Sequence, residues 1–266
     1  MKFGICLLSI VPVRSTPSDK GEMCTQLLFG ELYSILEFDL NKKWIRIKIT
    51  EDGYEGWISA NQSYSIIDEN HASEIPKLNT YYVKNLLGFV NTNDSRKFFI
   101  PAGSVFHSYE AHKNLMIVDN TSFSIDLESI TDLLDPIDRS KLVKYSFNYL
   151  NTPYLWGGKT PFGIDCSGLV QQVFKLHGCK LPRDAWQQAN EGTEISIDDV
   201  QPGDLAFFKN EEKKITHVGI LYAKDKIIHA SGCVKVNFLD EKGIYKQREK
   251  EKIYSHQLAF IKKIIP

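Results

Sequence analysis

A cysteine at position 166 lies where a loop passes into a helix, a place that favours nucleophilic chemistry. It belongs to the segment 163–168 (GIDCSG), after which apolar residues recur at helical spacing as far as Leu176. Free backbone N–H groups and the positive end of the helix dipole stabilise an anion there, and thiol pKa values at such positions fall from about 8.5 to roughly 3.5–7.5. We therefore predict that Cys166 is a nucleophile with a lowered pKa, the alternative being a buried structural cysteine.

Two histidines are placed to serve such a thiol. His217 opens one β-rich run and His229 lies in the next, and the two runs predict a hairpin centred near Ala223 that puts the imidazoles nearly opposite one another. A cysteine nucleophile needs a base, and the base needs a polar group that fixes its tautomer. Cys166, His217 and His229 fit those roles in that order, although each histidine alone is more often a hydrogen-bonded core residue. The other histidines are predicted to be ordinary surface residues: His71, His107, His112, His177 and His256.

The segments that must position these residues are predicted from hydrophobic periodicity and turn signals. Residues 1–67 alternate short β-rich runs with turns, which predicts a small all-β barrel. Residues 68–126 have the same rhythm and predict a second barrel, and residues 127–136 are expected to be a linker. Residues 137–266 begin with a helix over 137–150 and place helices before an antiparallel sheet, so the predicted fold class is α+β.

Composition limits the function classes. A chain of 266 residues with 42% hydrophobic content can bury a full core. Its net charge of −1 provides no basic field for nucleic acid or an anionic membrane, so neither partner is expected. Five widely spaced cysteines without a CxxC pair indicate neither a disulfide framework nor a zinc site, and they suit a reducing compartment.

The N-terminal run FGICLLSIV at 3–11 superficially resembles a signal peptide. The run is brief, lacks a small-x-small cleavage site and passes at once into Pro12, so we expect no signal peptide. No stretch approaches about 18 apolar residues, and no membrane span is expected. The expected location is therefore the cytoplasm, with the periplasm or secretion as the alternative.

Six motifs in order across 154–230 resemble those of the NlpC-type cysteine peptidases, papain-like enzymes that cut bacterial cell-wall peptides. The motifs are YLWGG at 154–158, DCSGLV at 165–170, LPRD at 181–184, QPGDL at 201–205, HVGI at 217–220 and IHA at 228–230. The resemblance implies a papain-like catalytic domain with Cys166 as nucleophile, His217 as general base and His229 as the orienting third member. It also implies that the Tyr154 hydroxyl and the Cys166 backbone N–H stabilise the oxyanion.

The resemblance is closer to one branch, the γ-D-glutamyl-L-diamino acid endopeptidases, in which bacterial SH3-like domains precede the catalytic domain. The first barrel carries RSTPS at 14–18, GEMCTQLL at 21–28 and DGYEGW at 52–57, as that branch does. The implied architecture is two small SH3-like barrels followed by the catalytic domain.

That branch also implies which residues contact the substrate. An acid and a tyrosine of the first barrel join the aspartate of the Arg-Asp motif to hold the free amine of the peptide. The residues carried over for this role are Glu22, Tyr54 and Asp184, and those carried over as cleft-lining residues are Trp156, Asp165 and Ser167. The chain departs from similar enzymes at Ala185, where a serine can follow the Arg-Asp pair.

The leading hypothesis is hydrolysis of the bond between γ-D-Glu and an L-diamino acid in free muropeptides that begin with L-Ala, within bacterial peptide recycling. We expect a monomer that requires no cofactor. The alternatives are a secreted wall-lytic endopeptidase, a non-catalytic wall-binding protein with a decayed peptidase domain, and an acyltransferase or amidase on the same fold.

Overall fold

The computed structural model describes residues 2–66, 78–108, 112–133, 137–249 and 251–265. The chain divides into two compact units, Met1–Leu134 and Asp135–Pro266. Among the described residues, no helix is long and apolar enough to cross a membrane.

The first β-rich segment forms an antiparallel sheet in which alternate residues face a core. Its strands are β1 (Lys2–Ile5), β2 (Ile10–Arg14), β3 (Met23–Leu28), β4 (Leu32–Phe38), β5 (Trp44–Ile49), β6 (Glu55–Ser59) and β7 (Ser65–Ile66). They pair in the order β3-β2-β6-β5-β4-β1-β7. In β5, Ile45, Ile47 and Ile49 are buried while the residues between them are not, as in a strand with one solvent-facing side.

The second β-rich segment continues into the predicted linker. Its strands are β8 (Asn79–Val83), β9 (Leu87–Thr92), β10 (Lys97–Pro101), β11 (Val105–Ser108), β12 (Leu115–Val118), β13 (Thr121–Ser124) and β14 (Ile130–Thr131). They form the sheets β10-β9-β13-β12 and β11-β8-β14. The linker prediction for 127–136 needs correction, because Ile130 pairs with Val83 and is buried in the core. Residues 134–136 lie outside the described residues.

A shared core joins the two β-rich segments. Phe29 of the first segment packs on Phe98, Phe106 and Phe123 of the second, with ring centroids 5.8, 5.5 and 5.3 Å away. The Val105 N–H also donates to the Phe29 carbonyl oxygen at 2.8 Å. The predicted boundary between barrels, at 67/68, falls within 67–77, outside the described residues, and the separate domains 1–67 and 68–126 stay a prediction.

The second unit places helices before most of its strands. Its helices are α1 (Arg139–Ser146), α2 (Cys166–Lys175) and α3 (Ala185–Gln188). Its strands are β15 (Lys159–Thr160), β16 (Gly163–Ile164), β17 (Thr193–Ile195), β18 (Leu205–Lys209), β19 (Ile215–Ala223), β20 (Lys226–Ser231), β21 (Cys233–Asp240), β22 (Gly243–Arg248) and β23 (Glu251–Lys263). The predicted helix over 137–150 is α1 followed by a 3-10 turn at Phe147–Tyr149.

The large sheet of this unit has the order β17-β23-β18-β19-β20-β21-β22, and β22 also pairs with β23, so that the order closes on itself. The predicted strands correspond to β18, β19, β20, β21 and the second half of β23. Sequence reasoning missed β22 and the first half of β23, because residues 245–252 (YKQREKEK) are mostly charged and lack an apolar alternation.

Helix α2 is the interior element of the second unit. Every residue from Cys166 to Lys175 is buried, and the helix packs against β19 and β20. A helix that is buried on all sides must have its termini satisfied by other protein groups rather than by water. The N-terminus of α2 is therefore the point at which a few specific contacts decide where Cys166 lies.

Candidate active site

Asp165 fixes the N-terminus of α2, whose first residue is Cys166. The Asp165 carboxylate accepts a hydrogen bond from the Gly168 N–H at 2.7 Å, as an N-cap residue does. It also accepts one from the Gly157 N–H at 2.8 Å, which ties the loop that follows Tyr154 to the same helix end. Cys166 is thereby held in the first helical turn with 6% of its surface exposed.

Arg183 balances the charge of Asp165 in the interior. Its guanidinium donates to Oδ1 and Oδ2 of Asp165 at 3.0 and 2.6 Å and to the Ser167 hydroxyl at 2.9 Å. The ion pair is buried and bidentate, and it joins the segment before α3 to the start of α2. Asp165 and Ser167 thus have partners within the protein, and their predicted contact with substrate stays a prediction.

The Cys166 thiol lies against the backbone of β19. The N–H groups of Val218 and Ser167 donate hydrogen bonds to it, and Val218 directly follows His217. Burial raises the pKa of Cys166 to about 12; the Asp165 carboxylate adds to the rise and the two N–H groups oppose it. The prediction of a lowered pKa is therefore wrong for the free protein, because burial and the carboxylate outweigh the helix terminus.

A hydrogen-bonded chain of side chains begins at His217. The Nε2 atom of His217 lies 2.8 Å from Nδ1 of His229, and Nε2 of His229 lies 3.0 Å from Oδ1 of Asn237. Both histidines are buried, at 6% and 1% exposure, and Asn237 is half-buried on β21. The two histidines predicted from the sequence are therefore brought together, and Asn237 is added to them.

Asn237 sets the tautomers along this chain. Its Oδ1 can only accept, so the neutral His229 carries its proton on Nε2 and leaves Nδ1 as an acceptor. His217 then donates from Nε2, and its Nδ1 carries no proton. A base that is to remove a thiol proton through Nδ1 needs this tautomer.

Burial keeps both histidines neutral. It lowers the pKa of His229 to about 4, against the hydrogen bond to Asn237. It also holds the pKa of His217 well below its usual value, and the nearby His229 and His256 add to this effect. At neutral pH His229 can therefore orient His217 without taking a proton from it.

Gly219 makes room for the contact between the imidazoles. Ile220 pairs with Ile228, and this register puts Gly219 opposite His229 and His217 on the diagonal. A Cβ on Gly219 would lie 2.8 Å from the His229 Cβ, which is too close. The histidines are thus diagonal rather than nearly opposite as predicted, and they meet across a position without a side chain.

Tyr154 places a phenol near the thiol. An isolated β-bridge pairs Tyr154 with Ile164, and its N–H donates to the Gly232 carbonyl oxygen at 2.9 Å. Burial raises the pKa of Tyr154, and the nearby Cys166 adds to the rise, so the hydroxyl stays protonated. A protonated phenol beside the nucleophile can donate to an oxyanion, as the resemblance implies.

The remaining predicted substrate contacts have different surroundings. Trp156 is 59% exposed. Asp184 caps α3 and accepts a hydrogen bond from the Trp186 indole N–H at 3.3 Å. In the first unit, Glu22 is exposed and Tyr54 is half-buried against the core of its sheet. Convergence on a substrate amine stays a prediction for these side chains.

His256 corrects a prediction, since it lies on β23 beside His217 and His229 and not in a surface loop. Its imidazole stacks on that of His217, with centroids 4.2 Å apart and an angle of 26° between the rings. Sequence reasoning also missed Asn237. The alternation of apolar and polar residues along β21 could have indicated that Asn237 lies on one face of a strand. The charged run before His256 gives no such indication of the strand β23 that positions His256.

Comparisons with known proteins identify the families and the fold that this chain resembles. Residues 151–252 match the model of the NlpC/P60 family, and residues 13–62 match that of the bacterial dipeptidyl-peptidase Sh3 domain. The chain is similar to a gamma-D-glutamyl-L-lysine dipeptidyl-peptidase of Bacillus subtilis, with 28% identity over 220 residues that cover 77% of this chain and 71% of that protein. A protein of the same name from Bacillus cereus is 26% identical over 239 residues, covering 80% of this chain and 68% of its own.

A solved structure shares the fold. It is an NlpC/P60 family protein from Bacillus cereus, which matches with a TM-score of 0.82 and 18% identity over 99% of this chain and 100% of its own. The catalytic unit thus has the NlpC/P60 papain-like fold, and the chain carries an SH3-like domain before it.

Replacing Arg183 with methionine should destabilise the second unit. The change leaves the Asp165 carboxylate buried without its cation, which typically costs about 3–5 kcal/mol of the free energy of unfolding. Urea unfolding of the second unit measures the loss. Lys224→Met is the matched control, because it breaks an exposed ion pair with Asp198 and should change little. Equal stability of the two variants would contradict the role of the buried pair.

Replacing Asn237 should impair the base while leaving the thiol in place. Asn237→Leu removes the acceptor that fixes the tautomers and should lower kcat by roughly 10- to 100-fold. Asn237→Asp keeps an acceptor oxygen at the same position and should retain more activity. Steady-state kinetics of both variants give the ordering, and an equal loss would mean that Asn237 acts through packing.

Stability should fall with acid because of His229. Its pKa is about 4 in the folded protein and 6.5 in an unperturbed histidine, so the unfolded chain takes up the proton first as the pH falls. We expect a loss of about 3 kcal/mol between pH 6.5 and pH 4 from this residue, with His217 acting in the same direction. In His229→Gln this slope should be smaller. Parallel stability curves for the two proteins would refute the assignment.

Proposed function

For a chain that carries an NlpC/P60 cysteine peptidase domain behind a bacterial SH3-like domain, we propose hydrolysis of the bond between γ-D-Glu and an L-diamino acid in cell-wall peptides. The preferred substrates are free muropeptides that begin with an unblocked L-Ala. The observation that carries the catalytic part is the chain from His217 through His229 to Asn237, which starts one residue from the backbone N–H that contacts the Cys166 thiol.

The first half of the reaction forms a thioester. As Sγ of Cys166 attacks the γ-carbonyl carbon, Nδ1 of His217 takes the thiol proton. The transfer is coupled to attack, because burial disfavours a free thiolate in the resting enzyme. The oxyanion accepts hydrogen bonds from the Cys166 backbone N–H, which lies in the first helical turn, and from the Tyr154 hydroxyl. The imidazolium keeps its Nε2 hydrogen bond to His229 throughout.

The second half releases both products. His217 gives its proton to the amine of the diamino acid as the carbon–nitrogen bond breaks, and the amine leaves. Water then attacks the thioester while His217 takes one of its protons, and this proton returns to Sγ as the carbon–sulfur bond breaks. The released acyl product ends in the γ-carboxyl group of D-Glu, which keeps the other proton of the water and loses it to solvent. The enzyme is regenerated with a neutral thiol and a neutral imidazole.

The substrate class is supported by the relatives, two of which are named gamma-D-glutamyl-L-lysine dipeptidyl-peptidase. We extend this to a requirement for a free amine on L-Ala, held by Glu22, Tyr54 and Asp184. Two carboxylates around one ammonium group make a charge-assisted site that an acylated amine cannot use. Trp156, Asp165 and Ser167 complete the proposed cleft.

The proposed setting is recycling of muropeptides in the cytoplasm by a monomer, with the second β-rich segment as another SH3-like barrel in a structural role. Free muropeptides have an unblocked L-Ala, whereas intact peptidoglycan joins that amine to muramic acid. A wall-lytic enzyme would therefore have to accept an acylated amine. The blocking of the amine is the chemical difference that separates the two settings.

Acetylation of the substrate should abolish most of the activity. We expect kcat/KM for L-Ala-γ-D-Glu-L-Lys to exceed that for its N-acetylated form by about 30-fold or more, since one partner of a charge-assisted pair is lost. Glu22→Gln should narrow this ratio, and Asp19→Asn, an exposed acid of the same loop, should not. Mass spectrometry of the products measures the cleavage of the free and the acetylated peptide by each variant. Cys166→Ala should reduce turnover by on the order of 10⁴ or more with either peptide.

Two outcomes would separate the parts of this proposal. Cleavage of the acetylated peptide within about threefold of the free one would overturn amine recognition and favour the wall-lytic setting. A Cys166→Ala protein with a tenth of wild-type activity would overturn the cysteine mechanism itself. A parallel assay with the diaminopimelate peptide gives the preference between diamino acids.

A further inference from the structure

His256 covers one face of the imidazole that serves as the base. The centroids of the His256 and His217 rings lie 4.2 Å apart at 26°, while His256 meets His229 nearly at right angles, at 5.7 Å and 86°. We propose that His256 is a positioning residue, whose stacked ring holds the plane in which His217 exchanges a proton with Cys166. This inference rests on the proposed roles of Cys166 and His217.

The hydrogen bond to His229 restrains rotation of the His217 ring about χ2 only in part. The axis from Cβ through Cγ of a histidine leaves the ring between Cε1 and Nε2, so that rotation about χ2 moves Nδ1 farther than it moves Nε2. His217 is held through Nε2, at 2.8 Å from His229. Because χ2 of histidine has a broad energy minimum, a second contact is needed to fix Nδ1. A flat group on the ring face provides that contact.

The contacts around His217 are consistent with His229 holding Nε2 and His256 holding the plane of the ring. His229 meets the His217 ring edge-on, with centroids 5.0 Å apart at 83°. Phe208 on β18 lies 5.7 Å from the His217 ring and 6.0 Å from the His256 ring. His256 is itself hydrogen-bonded through Nδ1 to the Ser255 hydroxyl at 2.9 Å. The stacked ring is therefore packed and tethered, as a positioning element must be.

The charge of His256 matters because His217 becomes a cation during the reaction. A neutral ring stacked on an imidazolium is compatible with it, whereas a second imidazolium at 4.2 Å repels it. The titratable and charged groups around His256 are His217 on β19, His229 on β20 and Lys235 on β21. Its apolar neighbours are Phe208 on β18 and Ile244 on β22, the residue with which His256 pairs. Burial lowers the pKa of His256, and Lys235 adds to this effect, so the ring is neutral at neutral pH.

The experiment compares side chains that differ in flatness and charge at position 256. His256→Phe keeps a flat ring that cannot be protonated, and His256→Leu keeps bulk without flatness. We expect His256→Leu to lower kcat by on the order of 10- to 100-fold with KM within about twofold, since only the alignment of the base changes. His256→Phe should stay within about threefold of wild type and keep its activity to lower pH.

Controls separate this inference from the proposed function. His177→Phe replaces another half-buried histidine of the second unit, which packs on Tyr145 at 5.6 Å, and should leave kcat unchanged. Alkylation of Cys166 by iodoacetamide reads the coupling of thiol and base without any peptide substrate. It should slow in His256→Leu and stay near the wild-type rate in His256→Phe, even if the wild type cuts no muropeptide.

Several outcomes would overturn the positioning role. They are equal loss of kcat in His256→Phe and His256→Leu, a loss confined to KM, and a Leu variant within about twofold of wild type in both kinetics and alkylation. Thermal unfolding of each variant shows that the second unit is folded. If His256→Leu does not fold, His256→Gln replaces it in the same comparison with His256→Phe.

Discussion

The buried pair of Asp165 and Arg183 is the interaction on which the geometry of the site depends. Asp165 caps α2, binds the Gly157 N–H of the loop after Tyr154 and receives the guanidinium from the segment before α3. The loop after Tyr154, the start of α2 and the segment before α3 thus meet at one carboxylate. The same carboxylate adds to the rise in the pKa of Cys166, so the group that locates the nucleophile also opposes its ionisation. Positioning is thus favoured over the reactivity of the resting thiol.

Because the thiol is protonated at rest, the tautomer and charge of His217 become decisive. In the proposed mechanism, a thiol that stays protonated at rest depends on an unprotonated Nδ1 of His217 at the moment of attack. The acceptor oxygen of Asn237 fixes that tautomer through His229, and burial keeps both rings neutral. The polar chain is buried yet satisfied at each nitrogen that it uses, which is the condition under which a buried network stabilises one arrangement.

The sequence predicts the parts of the site that depend on local pattern. The turn into α2 identifies Cys166, and two neighbouring runs identify His217 and His229, because a hairpin is a short-range structure. Contacts that depend on distant pairing escape it. His256 reaches His217 only because β23 pairs with both β18 and β22. No local pattern of residues in the sequence predicts that pairing. The sequence also predicts the wrong direction for the pKa shift at Cys166, since burial depends on the packing of the whole unit.

Gly219 carries a consequence for how such proteins can diverge. Every single-base change in a glycine codon that replaces glycine with another amino acid introduces a Cβ, and at position 219 that atom would lie 2.8 Å from the His229 Cβ. No amino-acid replacement at this position therefore fits without a shift of its neighbours, although the proposed catalytic roles belong to His217 and His229 on either side of the gap. Natural substitutions in this hairpin should therefore be found at its outward-facing positions. The absence of a side chain at position 219 is then inherited as strictly as a side chain that takes part in binding or packing.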